Sequence, residues 1–261
     1  MEERIEEGDP VKLIAIVGER RREYHIRAWK AGMYSTIAGP VAGRQIVGST
    51  YGTRIDTVRG QVYLVKPTWI EVLQHHARRK TQVIYPKDSG YIALRAGIKH
   101  GYTVLEAGIG SGFLSAVLLA ILCPDGRLIA YETRKEHAQA ARRNIELTGH
   151  SNCLELRIGD VGGARDLPPL DAIILDLPDP WTVLGNLHPH LKPGRPAIVF
   201  VPTANQIIKL LQNLPSGWLI ESIEEIIKRE WEPNPEALRP SPRMIGHTGY
   251  IITLRRTTVT E

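Results

Sequence analysis

Cysteine is scarce in this sequence: Cys123 and Cys153 are the only two among 261 residues, and neither belongs to a Cys-x-x-Cys pair. We therefore expect neither a zinc cluster nor a disulfide framework, and we predict that both side chains are buried as small apolar groups. The histidine clusters, His75–His76 and His188–His190, lack the helical spacing and nearby carboxylate of a ligand set. The sequence therefore predicts no metal site.

Long apolar runs are also missing. None approaches the ~20 apolar residues that cross a bilayer, and the acidic first residues, MEERIEEGD, are unlike a signal peptide. We expect a soluble, cytoplasmic protein that does not bind membranes. Hydrophobic residues make up 43% of the chain, which is enough for a full core in one large domain or two unequal ones.

The net charge of +5 is unevenly distributed. The whole excess falls within residues 1–80, and residues 81–261 carry equal numbers of basic and acidic side chains. A basic part beside a neutral one favours a polyanionic partner, most often a nucleic acid, although a solvated basic surface would give the same count. Arg20, Arg21 and Arg22 form the densest part of this charge and are the candidate phosphate contacts.

The chain is predicted to contain two domains joined by a helix. Short β-rich stretches separated by glycines predict a small basic β-barrel-like domain over residues 1–66. Its predicted strands are residues 11–17, 22–28, 44–49 and 61–66. Thr68 and Glu71 have the spacing of a capping box, which predicts a helix to about Arg79 within a connector of residues 67–80. Residues 81–261 form the second domain.

The second domain is organised around residues 102–112, YTVLEAGIGSG. Its apolar start predicts a buried parallel strand, and Gly108, Gly110 and Gly112 let the backbone turn tightly and approach a ligand. Apolar residues at helical spacing follow. A loop that enters a helix presents free N–H groups to an anionic or polar ligand, so we expect a nucleotide-like cofactor.

The glycine spacing narrows the identity of that cofactor. A dinucleotide fingerprint, G-x-G-x-x-G, would need glycine at position 113, where the chain has Phe113. A tight turn without a ligand is the other alternative, although three alternating glycines would weaken a fold that did not use them. The pattern E-x-G-x-G-x-G resembles motif I of the Rossmann-like methyltransferases, and this resemblance implies S-adenosylmethionine.

Strands and helices alternate after the glycine loop, and the last two strands have no helix between them. This order predicts an α/β fold with a Rossmann-like class I methyltransferase sheet and an antiparallel C-terminal hairpin at its edge. The predicted strands are residues 128–132, 153–158, 170–176, 196–201, 217–232 and 246–256. Capping boxes at Thr133 and Thr203 predict the starts of two helices, and Pro86 and Gly90 predict an irregular loop.

Four acidic residues follow or end predicted strands: Glu106, Glu132, Asp160 and Asp176. Each alone could be a helix cap or a solvated turn, but ligands of such sheets lie beyond the carboxyl ends of the strands, so together they favour a shared site. Asp176 opens the stretch DLPDPW, in which two prolines stiffen the backbone before Trp181. This stretch resembles the base-holding loop of adenine amino-group methyltransferases, although a rigid turn before a helix would look the same.

Four motifs together resemble the archaeal and bacterial tRNA (adenine-58-N1)-methyltransferases over most of the chain. They are EAGIGSG, IYPKD, ILDLPDPW and GHTGY, of which YPKD and HTGY are the more specific. The resemblance implies methylation of N1 of adenine 58 in tRNA, with position 57 as a further target in some archaeal members. Members are usually homotetramers with a small N-terminal β domain, and this chain lacks the cysteine pairs that link subunits in certain archaeal relatives.

The resemblance also assigns roles to particular residues. It places Asp176 at the target adenine with Tyr85 and Phe200 beside it, and His247 near the pocket; we take Asp176, Tyr85 and His247 as catalytic candidates. Trp181 is a further candidate for the base. At S-adenosylmethionine we expect Asp176 and the following residues: Gly108, Gly110, Ser111, Gly112, Phe113, Leu114, Glu132, His137, Asp160 and Val161.

Two other functions remain open from the sequence. A protein carboxyl methyltransferase would share the glycine loop and the sheet, but it would not need a basic β domain or the loop that begins at Asp176. A catalytically inactive RNA-binding subunit would be expected to lack the motif I glycines or Asp176, and this chain has both.

Overall fold

The computed structural model describes residues 3–258. Residues up to His76, together with Pro233–Ala237, form one compact unit, and Ala77–Glu232 with the residues from Leu238 onward form the other. The sequence did not predict that Pro233–Ala237 groups with the N-terminal unit. No helix formed by residues 3–258 has the length and apolar character that a bilayer crossing requires.

The N-terminal unit is built from two antiparallel sheets. The larger has the strand order β2-β1-β6-β5, and the smaller pairs β3 with β4. The strands are β1 (Pro10–Val17), β2 (Arg20–Arg27), β3 (Met33–Thr36), β4 (Gly39–Ala42), β5 (Arg54–Asp56) and β6 (Gln61–Val65), followed by helix α1 (Trp69–His76). Alternate residues of β1 point into the core, so Val11, Leu13 and Ala15 are fully buried.

The predicted strand over residues 44–49 is wrong. Gly43–Gln45 form a 3-10 helix instead. Local side-chain bonds favour this turn, because the Gln45 amide oxygen accepts from the Ala42 N–H at 2.9 Å and the Ser49 hydroxyl donates to the Gln45 carbonyl at 2.9 Å. Ile46 still contributes to the core, where it is fully buried.

Helix α1 begins as predicted but is shorter than expected. The Thr68 N–H donates to Glu71 Oε2 at 2.8 Å and the Glu71 N–H donates to Thr68 Oγ1 at 3.4 Å, so the capping box is confirmed. The helix ends at His76 rather than near Arg79.

The C-terminal unit is built on a seven-stranded sheet of order β12-β15-β11-β10-β7-β8-β9. Its strands are β7 (Thr103–Ala107), β8 (Arg127–Glu132), β9 (Leu154–Ile158), β10 (Ala172–Leu175), β11 (Pro196–Val201), β12 (Trp218–Glu224) and β15 (Tyr250–Arg256), with a separate short pair β13 (Trp231–Glu232) and β14 (Arg239–Pro240). Its helices are α2 (Pro86–Arg95), α3 (Phe113–Leu122), α4 (Lys135–Glu146), α5 (Trp181–Leu187) and α6 (Ala204–Gln212).

Both faces of the central strands are covered by helices. Alternate residues of one strand enter different cores, so Ile173 of β10 packs in the cluster with Leu184 of α5, and Ile174 packs in the cluster with Leu118 of α3. This two-sided burial explains why the central strands are continuously apolar in the sequence.

The sheet direction brings the predicted ligand-facing residues to one edge. Strands β7 to β11 are mutually parallel, so their carboxyl ends share that edge. β15 runs antiparallel to both β11 and β12, which confirms the antiparallel C-terminal pair at the sheet edge. The strand predicted over residues 217–232 is wrong in length, because β12 ends at Glu224.

Two helix starts differ from the predictions. Pro86 and Gly90 lie inside α2. Proline is tolerated at Pro86 because N–H groups in the first turn of a helix have no carbonyl partner within the helix, so the missing N–H of proline removes no hydrogen bond. Helix α4 is preceded by Arg134 without a side-chain cap, so the Thr133 capping box is wrong. The third predicted cap is confirmed, since the Thr203 side chain accepts from the Gln206 N–H at the start of α6.

The prediction for the two cysteines is wrong. Cys123, directly after α3, and Cys153, directly before β9, form a disulfide, with their Cα atoms 5.8 Å apart. No local pattern predicts this bond, because the two cysteines are 30 positions apart and do not form a Cys-x-x-Cys pair. The sheet brings them together, since α3 and β9 both pack beside β8.

Candidate active site

The glycine loop joins β7 to α3 through left-handed backbone. Gly110 has φ of +55° and Gly112, the residue that caps α3, has φ of +78°. Residues other than glycine rarely adopt these backbone angles, which explains why glycine occupies two of the three positions. A Cβ at Gly108 would lie 3.7 Å from Glu132 Oε2 and 3.8 Å from the Asp176 carbonyl, so the space beside Gly108 is bounded by both acidic residues.

Glu132 is attached to the glycine loop at the carboxyl end of β8. Its carboxylate accepts from the Gly110 N–H at 3.2 Å and from the Arg134 N–H at 3.1 Å, and only 7% of the residue is exposed. These bonds hold the carboxylate against the glycine loop.

A segment before α2 lies over the glycine loop, and the sequence did not predict this contact. The Ser111 hydroxyl accepts from the Lys80 N–H at 3.1 Å and from the Thr81 N–H at 3.2 Å. Asn144 of α4 adds a second attachment, because its amide donates to the Arg78 carbonyl at 3.0 Å and to the Ser111 carbonyl at 2.9 Å. A buried amide on the apolar face of a helix was the available signal for Asn144.

The glycine loop and the residues just before Tyr85 line an open cleft, whose empty space of about 240 Å³ includes a part that is open to solvent. Predicted residues that line it are Gly108, Gly110, Ser111, Phe113, Leu114 and Asp176, together with the strand-end acid Glu106. The remaining lining residues, which the sequence did not single out, are Gln82, Val83, Ile84 and Ile109. The cleft therefore combines the motif I loop, the start of the YPKD region and the DLPDPW region.

Burial affects two carboxyl groups in the cleft wall. Burial raises the pKa of Glu106 to about 8, and the nearby charge of Asp176 adds to this rise although the Ser115 hydroxyl, which donates at 2.6 Å, opposes it. Burial, with the charge of Glu132, raises the pKa of Asp176 to about 6. At neutral pH Glu106 is therefore mainly protonated and Asp176 mainly ionised.

Five predicted cofactor residues lie outside the cleft lining, and Glu132, described above, is one of them. Gly112 caps α3, and Val161 is buried in the core. Asp160 Oδ1 accepts from the Gly162 N–H at 2.8 Å, so it caps a short 3-10 helix. His137 is 9% exposed, and its Nδ1 atom is buried without a hydrogen-bond partner among the residues that the structure describes.

Two of the predicted target-base residues lie at the end of β11. Gly249 lies under the Phe200 ring, because a Cβ at Gly249 would come within 2.3 Å of Phe200 Cζ. His247 approaches the Pro202 carbonyl through Nε2 at 2.8 Å and Glu225 Oε1 through Nδ1 at 2.6 Å. The Pro202 bond and then the Glu225 bond raise the pKa of His247. Both ring nitrogens are thus engaged.

The other candidates occupy different positions. Tyr85 precedes α2 as its N-cap residue. Trp181 is the first residue of α5 and packs against the core. The Lys209 ammonium lies 5.9 Å from the centre of the Trp181 ring. Neither lines the cleft described above. Arg20, Arg21 and Arg22 are exposed on β2, in the N-terminal unit.

One group of side chains within residues 3–258 has ligand atoms close enough to hold a metal ion: Glu23, His25 and Glu71. The Lys12 ammonium already lies 2.6 Å from Glu71 and 3.3 Å from Glu23. Although burial opposes it, the bonds from Lys12 and Thr68 lower the pKa of Glu71 to about 2. The carboxylates therefore neutralise a lysine, and a cation there would have to displace it.

Comparison with known proteins identifies the family. The sequence matches the family described as tRNA methyltransferase complex GCD14 subunit over residues 60–241, more than half of the chain. It is 35% identical to the tRNA (adenine(57)-N(1)/adenine(58)-N(1))-methyltransferase TrmI of Methanocaldococcus jannaschii, over 92% of this chain and 93% of that protein. The chain belongs to this methyltransferase family. The resemblance inferred from the four motifs is confirmed.

Other members and solved structures support the assignment. The tRNA (adenine(58)-N(1))-methyltransferase TrmI of Thermus thermophilus is 29% identical over 90% of this chain and 93% of its own length. The tRNA (m1A58) methyltransferase TrmI of Aquifex aeolicus has a TM-score of 0.87 at 29% identity and covers 98% of this chain and 100% of its own. A SAM-dependent O-methyltransferase of Thermotoga maritima has a TM-score of 0.87 at 31% identity, over 98% and 96%. The predicted fold class is confirmed.

Proposed function

We propose that this chain transfers a methyl group from S-adenosylmethionine to N1 of adenine 58 in the T-loop of tRNA, with adenine 57 as a further candidate target. The observation that carries the proposal is that Asp176 lines the same cleft as the motif I loop, at the carboxyl end of the sheet. The TrmI proteins of Methanocaldococcus jannaschii and Thermus thermophilus are methyltransferases that act on N1 of adenine in tRNA.

The residues of the cleft fit the proposed cofactor. Left-handed glycines leave room where other residues would place a Cβ, and the buried Glu132 carboxylate can accept bonds from ribose hydroxyls. The resemblance also assigns His137 to the cofactor; its Nδ1 atom is buried without a hydrogen-bond partner among the described residues, although His137 does not line the cleft. S-adenosylmethionine supplies an electrophilic methyl group on a sulfonium.

Asp176 is the proposed electrostatic partner of the target base. Adenine N1 has a free lone pair at neutral pH, so the reaction needs aligned reactants rather than a strong base. The methylated ring is cationic, and a carboxylate that accepts from the exocyclic N6–H stabilises this developing charge. With a pKa of about 6, Asp176 is ionised at neutral pH and suited to accept that bond.

The aromatic candidates would receive the base after it leaves its stack. Phe200 and Tyr85 are proposed to contact the adenine. Phe200 directly follows Val199, which pairs with Leu175 at the end of β10. Tyr85 is the N-cap residue of α2 and follows the residues that line the cleft. Trp181 remains a candidate for stacking at the mouth of the site, since it is partly buried at the start of α5. His247 is proposed to position the neighbouring backbone.

The N-terminal unit is proposed to bind tRNA. Its arginines at positions 20–22 are exposed on β2, and the Arg22 guanidinium lies 5.5 Å from the Tyr24 ring centre. Such an arrangement offers charge to phosphates and a flat face to bases.

We also infer that copies of the chain assemble, as a homotetramer by resemblance to the family. Exposed apolar side chains on α6 and β12 support self-association. They are Ile208, Leu211, Leu219 and Ile223. Light scattering of the purified protein tests this inference, and a mass of one chain at micromolar concentration would contradict it.

Mapping of the modified nucleotide tests the proposed activity. The chain is incubated with bulk unmodified tRNA and labelled S-adenosylmethionine, and the tRNA is digested and sequenced. We expect N1-methyladenosine at position 58, formed roughly 10²–10³ times more slowly after Asp176→Ala. Label on protein carboxyl groups, or on another oxygen atom as the name of the Thermotoga maritima O-methyltransferase would suggest, would contradict the proposal.

A further inference from the structure

A buried ion pair links YPKD and HTGY, the two more specific of the four motifs that resemble the family. The Lys87 ammonium donates to Asp88 Oδ1 at 2.8 Å, to Thr248 Oγ1 at 2.6 Å and to the Ile226 carbonyl at 2.6 Å. The Thr248 hydroxyl in turn donates to Asp88 Oδ2 at 2.8 Å. Asp88 is fully buried, and the Lys87 side chain is 10% exposed. Lys87 and Asp88 belong to YPKD, and Thr248 belongs to HTGY.

One end of this network fixes the start of α2. The Asp88 and Ser89 N–H groups both donate to the Tyr85 carbonyl at 2.9 Å, so Asp88 belongs to the turn that Tyr85 opens. The preceding residues, Val83 and Ile84, line the cofactor cleft. A displacement of Asp88 would therefore move both Tyr85 and the wall of the cleft.

The other end fixes the segment that leads into β15. Thr248 lies between His247, which is held by Glu225 and by the Pro202 carbonyl, and Gly249, which lies under the Phe200 ring. Phe200 and Pro202 lie at the carboxyl end of the sheet, where β11 pairs with β10 just before Asp176. The network thus connects two separate walls around the end of β10.

We propose that Lys87, Asp88 and Thr248 are positioning residues for the target base, which hold Tyr85 and Phe200 at a fixed separation around the Asp176 carboxylate. All three donors of the Lys87 ammonium are already used, so Lys87 is not available to bind a phosphate or to transfer a proton. Its contribution is to lock two chain segments that are about 160 residues apart in sequence. This proposal rests on the proposed function.

A positioning role differs from a purely structural one in what its loss changes. Removal of either charge would leave the other buried and lower stability wherever the pair lies in the fold. Only a pair that sets the geometry of reacting groups should also slow methyl transfer when tRNA and cofactor are saturating, because misplacement by about 1 Å can cost a factor of ~100.

The experiment compares matched variants of the whole protein. Thr248→Val removes both hydroxyl bonds and keeps the side-chain shape, whereas Thr253→Val changes a fully buried hydroxyl on β15 that has no hydrogen-bond partner among residues 3–258. Lys87→Met is compared with Lys192→Met, since Lys192 pairs with the buried Asp171 before β10, at the opposite edge of the sheet. Each variant is measured for urea stability, for S-adenosylmethionine affinity by calorimetry and for single-turnover methylation of tRNA.

We expect Thr248→Val and Lys87→Met to slow single-turnover methylation by roughly tenfold or more, while cofactor affinity stays unchanged. Thr248→Ser should restore the parent rate, and the Thr253 and Lys192 variants should keep it. A parent rate in folded Thr248→Val, or equal slowing in the Thr253 and Lys192 controls, would overturn this proposal alone. A parent protein that methylates no tRNA would overturn the proposed function and this proposal with it.

Discussion

Two carboxyl groups in the cleft differ in charge at the same pH. Asp176 follows β10 and has a pKa of about 6, whereas Glu106 lies within β7 and has a pKa of about 8. Glu106 is 1% exposed, and its one described hydrogen bond, from Ser115, stabilises the ionised form too little to offset burial. One acid is therefore available to accept a bond from the substrate, and the other is a neutral part of the wall.

The rate of methyl transfer should rise with pH as Asp176 ionises, because the carboxylate is a stronger acceptor of the N6–H bond than the neutral acid and its charge stabilises the developing cation. We expect a single-turnover rate that increases through a pKa near 6 and then levels off. Asp176→Asn should slow the reaction by roughly 10²–10³ and remove this dependence. Quenched single-turnover assays between about pH 5 and 8 measure the pH dependence of the methylation rate. Asp179→Asn, an exposed change in the same loop, is the control, and a retained pH midpoint in Asp176→Asn would contradict the assignment.

Glu106 should make the protein less stable as pH rises. Its pKa is raised from 4.5 in the unfolded chain to about 8 in the folded one, so the folded state holds an extra proton between these values. The free energy of unfolding must then fall as pH rises through that window, by up to about 1.4 kcal/mol for each pH unit. Urea midpoints at both ends of the window measure this loss.

Glu106→Gln should remove this part of the pH dependence, since the amide stays neutral and can still accept from Ser115. The exposed Glu136→Gln is the matched control and should keep the slope of the parent. Equal slopes in Glu106→Gln and the parent would mean that Glu106 does not hold the extra proton.

Helix starts show how neighbouring elements can override a local signal. Thr68 and Thr203 cap their helices as predicted. At α4 the Glu132 carboxylate accepts from the Arg134 N–H, and the Thr133 hydroxyl donates to Glu132 at 3.5 Å. The strand-end acid therefore takes the place that the capping threonine would have occupied.

The disulfide joins two elements that flank β8, and its loss should destabilise the C-terminal unit. Cross-linking of residues 30 apart restricts the unfolded chain, and such a bond typically contributes about 2–4 kcal/mol. We expect the urea midpoint to fall by a corresponding amount in reducing agent or in Cys123→Ser/Cys153→Ser. The double variant should not respond to reducing agent. Identical midpoints for the parent with and without reductant would contradict a stabilising disulfide.

At the scale of the whole molecule, the two units carry different proposed tasks. The basic excess of the chain falls within residues 1–80, and the cleft lies in the other unit. Arg21 pairs with Glu23 at 2.6 Å, so part of this charge is neutralised locally, and Arg27 donates to the Gly8 carbonyl. The exposed residues at positions 20–22 are therefore a better target for mutation than Arg27.

Replacement of Arg20, Arg21 and Arg22 by serine should weaken tRNA binding and flatten its salt dependence. Each phosphate contact that is lost abolishes the release of condensed counterions at that phosphate. The slope of log affinity against log salt concentration should therefore become shallower by roughly 0.7–0.9 for each contact. Cofactor affinity should not change. Filter binding across a salt series measures the slope, and serine at Lys135, Arg142 and Arg143, exposed on α4, gives the same charge loss as a control. An unaltered slope in the β2 variant would mean that these arginines do not contact tRNA.

The sequence by itself determined the β7, glycine loop and α3 unit, because apolar runs, helical spacing and the need for left-handed backbone at Gly110 and Gly112 are all local properties. It also determined the parallel sheet with its antiparallel edge, since the order of elements restricts the topology. Asp176 and Glu132 could be placed for the same reason, as the carboxyl ends of parallel strands meet at one edge.

The tertiary structure alone decided the contacts between distant segments. Asn144 reaches Ser111, Cys123 reaches Cys153 and Lys87 reaches Thr248 only after sheet register and helix packing have placed them within bonding distance. The same holds for ionisation, because the pKa of Glu106 depends on how completely the surrounding strands and helices exclude water from its carboxyl. Local patterns specify elements, whereas these bonds and charges arise from side chains that only the assembled core brings together.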